Sequence, residues 1–288
     1  MSRAVFEERL FGVLKWLSII FFIVITLFPL IYMFGLSFRS IQELLLHPAR
    51  LFPPWEQIKS LVTYKEVLGS GLTGGQGFGV FVKNSAIVSV VTVIVTTTLA
   101  IFAAYAAARM RFSGKKAISW GILLVYLFPA VVIAIPLFVL FSKVGLRSSL
   151  TGLIIVYLAQ TIPVALYMLR SHFETIPASL EEAGLIDGLS RFGVIRKITL
   201  PLSAPAIAAV ALYIFMIAWN EFLFALLFLI ERRDLWTVAL GLQQMNTVEV
   251  PKTLLMAGSV IVTLPVIILF FAAERFLTEG LTAGGVKG

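Results

Sequence analysis

The 288-residue chain contains no cysteine, which excludes disulfides, thiol nucleophiles and Cys-ligated metals. Charge is scarce as well. Charged residues make up 13% and hydrophobic residues 59%, against about 25% and about 45–50% in soluble domains. There are two histidines, His47 and His172, each in or beside a loop, so no His/Asp/Glu cluster offers acid–base or metal chemistry. No Gly-x-x-x-x-Gly-Lys-Ser/Thr loop is present to cradle nucleotide phosphates. The alternating pattern of a membrane barrel is missing, and so is any repeat of 20–50 residues. No small-residue cleavage site follows the first apolar run, which at ~24 residues is too long for a signal peptide. Soluble globular domains, thiol enzymes and nucleotide hydrolases are thereby set aside.

Long apolar runs are what the chain has instead. Six stretches come close to or exceed the ~20 residues that span a hydrocarbon core as a helix: 14–37, 82–107, 118–141, 150–169, 203–230 and 254–277. Backbone groups in lipid must be satisfied internally, so the reading is an all-α integral membrane protein with six transmembrane helices. Residues 1–13 form a short polar leader, 38–81 a long loop with short helices around 55–68, and 280–288 a Gly-rich tail. Trp55 and Tyr64 suit a membrane interface. Pro129 and Pro136 predict a bent or broken third span, and Ala100, Ala103, Ala104 and Ala106–Ala108 allow close helix approach in the second. Of the net charge of +8, Arg109, Arg111, Lys115 and Lys116 crowd one short loop and Arg170, Arg191, Arg196 and Lys197 another. The short opposite loops hold fewer basic residues, which predicts both termini on the cytoplasmic side.

Residues 171–202 carry the densest signals. Ser179 followed by Glu182 fits a capping box, which starts a helix at Ser179. Leu180, Ala183, Gly184 and Ile186 give that helix a short apolar stripe. Gly188 after Asp187 is a helix stop. Ser190 caps a second helix, which Pro201 ends near Leu200, with Phe192, Ile195 and Thr199 on one face. Two short helices joined by a glycine turn make a protrusion that fits a partner's groove; the alternative is a membrane-surface amphipathic loop without such a role.

The run Glu182-Ala183-Gly184-x-x-Asp187-Gly188, then Ile198-x-Leu200-Pro201, closely resembles the EAA loop of permease subunits of binding-protein-dependent ABC importers. Gly184 replaces the usual alanine. Lys83-Asn84-Ser85, Ala104 to Gly114 and Trp219-Asn220-Glu221-Phe222 are similar to other parts of that family, and the tail Gly280 to Gly288 to its maltose/trehalose-type sugar permeases. The resemblance implies a type I ABC importer permease fold with 82–279 as the transmembrane domain. It implies residence in a bacterial or archaeal cytoplasmic membrane. Its partners would be a second homologous permease, two cytoplasmic ATPase subunits and an extracytoplasmic solute-binding protein. No cofactor would be bound by this chain, since ATP and Mg sit on the ATPases, and the chain itself would be non-catalytic.

By the same resemblance, Ser179, Glu182, Ala183, Gly184, Asp187, Gly188, Phe192, Ile195, Leu200 and Pro201 form the ATPase-coupling set. Glu182 is its polar anchor, and Phe192 and Ile195 are its buried anchors. The loop 231–253, with Trp236, Gln243, Gln244 and Asn246, would meet the binding protein, and the tail would reach between the ATPases. Glu221 lies at membrane depth, where a carboxylate costs ~2.5 kcal/mol or more. Trp219, Asn220 and Glu221, with Gln160, Thr161 and Tyr157, are the candidates for a substrate pathway; the alternative for Glu221 is an interhelical hydrogen bond. The expected cargo is a di- or oligosaccharide such as maltose or trehalose. Another solute such as glycerol phosphate, or a standalone secondary transporter, are the competing readings, although the latter predicts inverted repeats or several buried ionisable groups.

Overall fold

The computed structural model describes residues 3–70, 75–115, 117, 120, 121, 124 and 129–283; among them all regular structure is helical. The chain divides into two units, residues 1–78 with 244–261, and residues 79–243 with 262–288.

In the first unit, helix α1 (Arg3–Ser37) is apolar and exposed along most of its length, as a lipid-facing span requires. It leads into α2 (Ile41–Leu46), α3 (Trp55–Ser60) and α4 (Val62–Leu68). Ser40 caps α2 by accepting from the Glu43 N–H at 3.2 Å. The other end of α2 is closed by Arg39, a fully buried arginine. Its guanidinium donates to the carbonyl oxygens of Glu43 (2.8 Å), His47 (2.6 Å) and Arg50 (2.5 Å), adding a side-chain donor at the end of the helix to the backbone bonds that Glu43 O and His47 O already accept. Thr63 Oγ1 donates to the Ser37 carbonyl at 2.6 Å, and Tyr64 Oη lies 2.7 Å from Ser37 Oγ, which ties α4 to the end of α1. Trp55 is exposed as an interface residue would be. Tyr64 instead points inward, and burial raises its phenol above the usual range, partly offset by the Ser37 bond.

The second unit is built on α5 (Phe78–Arg109), α6 (Ala130–Lys143), α7 (Leu150–Thr175), α8 (Ala178–Ile186), α9 (Arg191–Leu202), α10 (Ala204–Asn220), α11 (Leu223–Leu229), α12 (Val238–Met245) and the later part of α13 (Lys252–Ala283). Two apolar clusters stack along α5, α7 and α10. One joins Val88 and Tyr157 to Phe224, Phe228 and Leu240. The other joins Ala100, Ala104 and Tyr105 to Ala165, Phe173, Ile195 and Ile214. Ala100, Ala104 and Ala165 are fully buried; small side chains let α5 and α7 come close. Thr161 Oγ1 donates to its own helix at Tyr157 O (2.7 Å), so Thr96 supplies the proton of the 2.9 Å bond between the two threonines.

The apolar runs 14–37, 82–107, 150–169 and 254–277 fall within α1, α5, α7 and α13. Among the described residues these four helices are long and apolar enough to cross a membrane; α9 and α10, bent by 80° between Leu202 and Ala204, make a fifth if taken as one span. The predicted third span, 118–141, is helical over Ala130–Lys143, with Pro129 at its N-cap; residues 118, 119, 122, 123 and 125–128 lie outside the described residues. The expectation of one unbroken helix over 203–230 is corrected: the chain leaves the helix at Glu221 and Phe222 between α10 and α11.

Candidate functional site: a two-helix loop held by a buried carboxylate

Helices α8 and α9 form the anticipated pair. Gly188 between them has φ +87°, a left-handed conformation that costs other residues about 1–2 kcal/mol. Ser190 accepts from the Gly193 N–H at 3.2 Å and caps α9. Three expectations need correction. The capping box is absent: α8 begins at Ala178 behind Pro177, and Ser179 makes no capping bond. Pro177 stands at the N-cap with ψ 127°, so Ser179 falls inside the first turn and not ahead of it. The second helix does not stop at Leu200 but runs through Pro201 to Leu202. Its turn Ile195–Thr199 is a π-helix in which the Leu200 N–H reaches Ile195 O, five residues back. A wide turn just before Pro201 interrupts the regular ladder that the proline ring would crowd.

The third correction is to the apolar stripe of α8, which is split between two faces. Its inward face is Glu181 and Gly184, both buried, while Leu180, Glu182, Ala183 and Ile186 are exposed. Glu181 is the centre of a polar cluster. Its carboxylate accepts from Arg109 Nε (3.1 Å), Tyr105 Oη (3.1 Å) and Thr199 Oγ1 (3.3 Å). Arg109 Nη2 also donates to Ile176 O at 2.6 Å. A single carboxylate thus joins the end of α5, the start of α8 and the π turn of α9. Its side chain is 7% exposed and that of Arg109 15%, so the pair is largely desolvated. Sequence reasoning passed over Glu181 because the assumed capping box made Glu182 the carboxylate of interest. The available signal was the four-residue spacing of Tyr105 and Arg109, which puts a phenol and a cation on one face of a span end.

Of the proposed coupling residues, Glu182, Ala183, Asp187 and Gly188 are exposed beside Ser179 and Pro201, Leu200 is half-buried, and Gly184 and Ile195 are buried within the chain. An alanine Cβ at 184 would lie 2.6 Å from Ile198 Cδ1, so glycine at this position lets α8 pack closely on α9. Phe192 remains 60% exposed, its ring stacked on Phe102 at 6.4 Å.

The proposed pathway residues separate. Glu221 supplies the N-terminal cap of α11: its carboxylate accepts from the N–H groups of Phe224 (2.9 Å) and Ala225 (3.2 Å) and from Tyr157 Oη (2.7 Å). Interrupting the span exposes the backbone donors that make a carboxylate tolerable there. Trp219 is 2% exposed, stacks on Phe215 and donates to Val262 O at 3.0 Å; burial withdraws it as a sugar-stacking face. Asn220 is exposed and donates to Met216 O at 2.9 Å. Gln160 and Thr161 line a cavity of about 290 Å³ between α6, α7, α10 and α11, with Ala130, Pro163, Tyr213 and Phe224.

Trp236 packs on Phe81 and donates to Leu229 O at 3.0 Å. Asn84 Nδ2 donates to the carbonyls of Asp234 (2.9 Å) and Trp236 (3.0 Å), and Ser85 Oγ accepts from the Val238 N–H at 2.8 Å. The Asn84-Ser85 pair therefore fastens the segment after α11 to α5. In that segment the Arg232 guanidinium beside Asp234 holds its carboxyl below the usual carboxylate range. Gln243 is exposed and Gln244 half-buried. Asn246 accepts from Lys252 Nζ at 3.0 Å, leaving Val248 fully exposed in the turn between them.

Among the described residues, several membrane-length apolar helices and a braced two-helix loop define a multi-pass, helical membrane protein. Residues 96–282 match the family described as "Binding-protein-dependent transport system inner membrane component", and the chain belongs to that family: it is a multi-pass inner-membrane permease. It is 38% identical over 269 residues to the inner membrane ABC transporter permease protein YcjP of Escherichia coli, covering 93% of each chain. It is 36% identical to the trehalose/maltose transport system permease protein MalG of Thermococcus litoralis, covering 98% of this chain and 99% of that one. Its fold matches a chain of a bacterial ABC transporter that imports the acidic polysaccharide alginate, with TM-score 0.80, 24% identity, and coverage of 96% and 98%.

Proposed function

We propose that this permease imports a sugar, a di- or oligosaccharide of the maltose or trehalose kind, and is driven by ATP hydrolysis on separate subunits. The carrying observation is the division of faces on α8. Leu180, Glu182 and Ile186 are presented outward beside Phe192, while Glu181 fixes the helix to α5 from behind. An outward apolar face with one carboxylate suits a groove on an ATPase, and the buried cluster transmits its displacement to a membrane helix. In this reading the loop and both termini face the cytoplasm, a second permease completes the pathway, and a solute-binding protein delivers the sugar on the other side. The identity to the trehalose/maltose permease supports the choice of cargo. In the cavity lining Gln160 is the polar group that would meet sugar hydroxyls, since Thr161 is buried and bonded to Thr96 and to the Tyr157 carbonyl.

The test is co-purification of the tagged chain in mild detergent, wild type beside Glu182→Ala combined with Gly188→Arg. The wild type should bring down an ATPase, a second permease and a solute-binding protein, and the double variant should lose chiefly the ATPase. Purification alone, with transport in vesicles that needs no ATP, would refute the proposal.

A further inference from the structure

A groove of about 790 Å³ opens where α5 ends. Gly114, at φ +91°, turns the chain after Arg109, so that Arg111 and Lys115 line the same groove as Arg170 from the last turns of α7. Glu174 sits one turn beyond Arg170 and accepts from its Nε at 2.8 Å; among the described residues that line the groove itself, three are basic and none is acidic. Met110, Phe112 and Trp120 line the groove as well, and all three are exposed, Trp120 at 68%. Cations and exposed apolar side chains thus alternate around one concavity at the ends of two membrane-length helices.

We propose that this groove binds the headgroup of an anionic phospholipid, with the acyl chains running along Met110, Phe112 and Trp120. The phosphate needs positive charge near the end of a span, and the chains need apolar surface beside it; cations and apolar side chains line the same concavity. Basic pockets between spans take anionic headgroups by this combination. A polar partner protein would satisfy the cations but leave a tryptophan exposed without reason, whereas tryptophan is favoured at the headgroup level.

Each basic residue near an anionic surface changes affinity about fivefold, so removing two costs roughly thirtyfold. The experiment titrates the purified permease complex, in a neutral detergent, with dioleoyl phosphatidylglycerol, dioleoyl phosphatidylcholine or inorganic phosphate, and follows the thermal midpoint. Phosphatidylglycerol should raise the midpoint of the wild type, and its half-effect concentration should rise roughly thirtyfold in Arg111→Gln/Lys115→Gln. It should not change in the charge-matched control Arg232→Gln/Arg233→Gln. Phosphatidylcholine should have little effect. An equal effect of inorganic phosphate would mean an anion site without lipid recognition and would overturn the proposal. So would equal titrations of the variant and wild type, or loss of a partner subunit from the variant with no change in lipid response. If the double variant cannot be purified, photoreactive phosphatidylglycerol is applied to the wild type. Labelling at 110–120 that excess unlabelled lipid competes away supports the site, and label spread evenly over all spans refutes it.

Discussion

Replacing Glu181 and replacing its neighbour Glu182 should do opposite things. Glu181→Ala leaves Arg109, 15% exposed, without its counter-charge, and leaves Tyr105 and Thr199 without their acceptor. Breaking a buried pair from one side costs about 3–5 kcal/mol. At about 2–4 °C per kcal/mol for chains of ~200 residues, the midpoint should fall by at least about 6 °C. Glu182 is exposed, so Glu182→Ala should melt with the wild type and lose ATPase stimulation instead. Glu181→Met combined with Arg109→Met removes both charges together. Such paired replacements are near neutral or stabilising, so this variant should recover most of the lost midpoint. The assay is a thermal melt of the detergent-solubilised permease complex for wild type, both single variants and the pair, followed by ATP hydrolysis with saturating binding protein. The pair should melt normally yet transport poorly, because an apolar contact does not hold α8 to α5 in one orientation. If Glu181→Ala melts within 1 °C or so of wild type while Glu182→Ala collapses, the assignment of the inward and outward faces is wrong.

Glu221→Ala removes the acceptor for two backbone N–H groups and the Tyr157 hydroxyl; a loss of about 2–3 kcal/mol is expected, with faster hydrogen exchange at Phe224 and Ala225. Asn84→Ala frees the carbonyls of Asp234 and Trp236 and should raise exchange across 233–238 about tenfold, at a cost of about 1–3 kcal/mol, without altering exchange in α8. Gly184→Ala should be near neutral. A better helix former gains up to about 1 kcal/mol, while the new Cβ displaces only the tip of Ile198. Adding Ile198→Val should turn the balance towards stabilisation, read as a higher midpoint.

The membrane class, the positions of the long spans and the two-helix loop were legible because each rests on local chemistry: apolar length for α1, α5, α7 and α13, the left-handed glycine at 188, and the Ser190 cap. What was not legible depends on contacts distant in sequence. Glu181 and Arg109 are separated by 72 positions, and nothing near Glu181 announces a cation. The break at Glu221 was hidden for a similar reason. Hydropathy registers a mostly apolar stretch, whereas the carboxylate's partners include a tyrosine 64 residues away. Pro201 misled in the other direction: the stop rule assumes a regular ladder, which the π turn suspends. Trp219 was chosen for its chemistry, but availability is decided by packing against Phe215 and Val262.

The π turn at Ile195–Thr199 also bears on how such a loop changes over evolutionary time. A π turn amounts to one residue inserted into a helix. Deleting one residue there turns the wide turn back into a regular one, and because the bulge had absorbed the extra residue, the helix on either side keeps nearly its former bearing. Phe192 would stay near Phe102. The same deletion inside the regular turns of α8 would rotate everything beyond it by about 100°, with a shift of about 1.5 Å along the axis. The wide turn is therefore a length buffer: a residue can be gained or lost there while the outward face of the loop and the packing of α10 keep their directions.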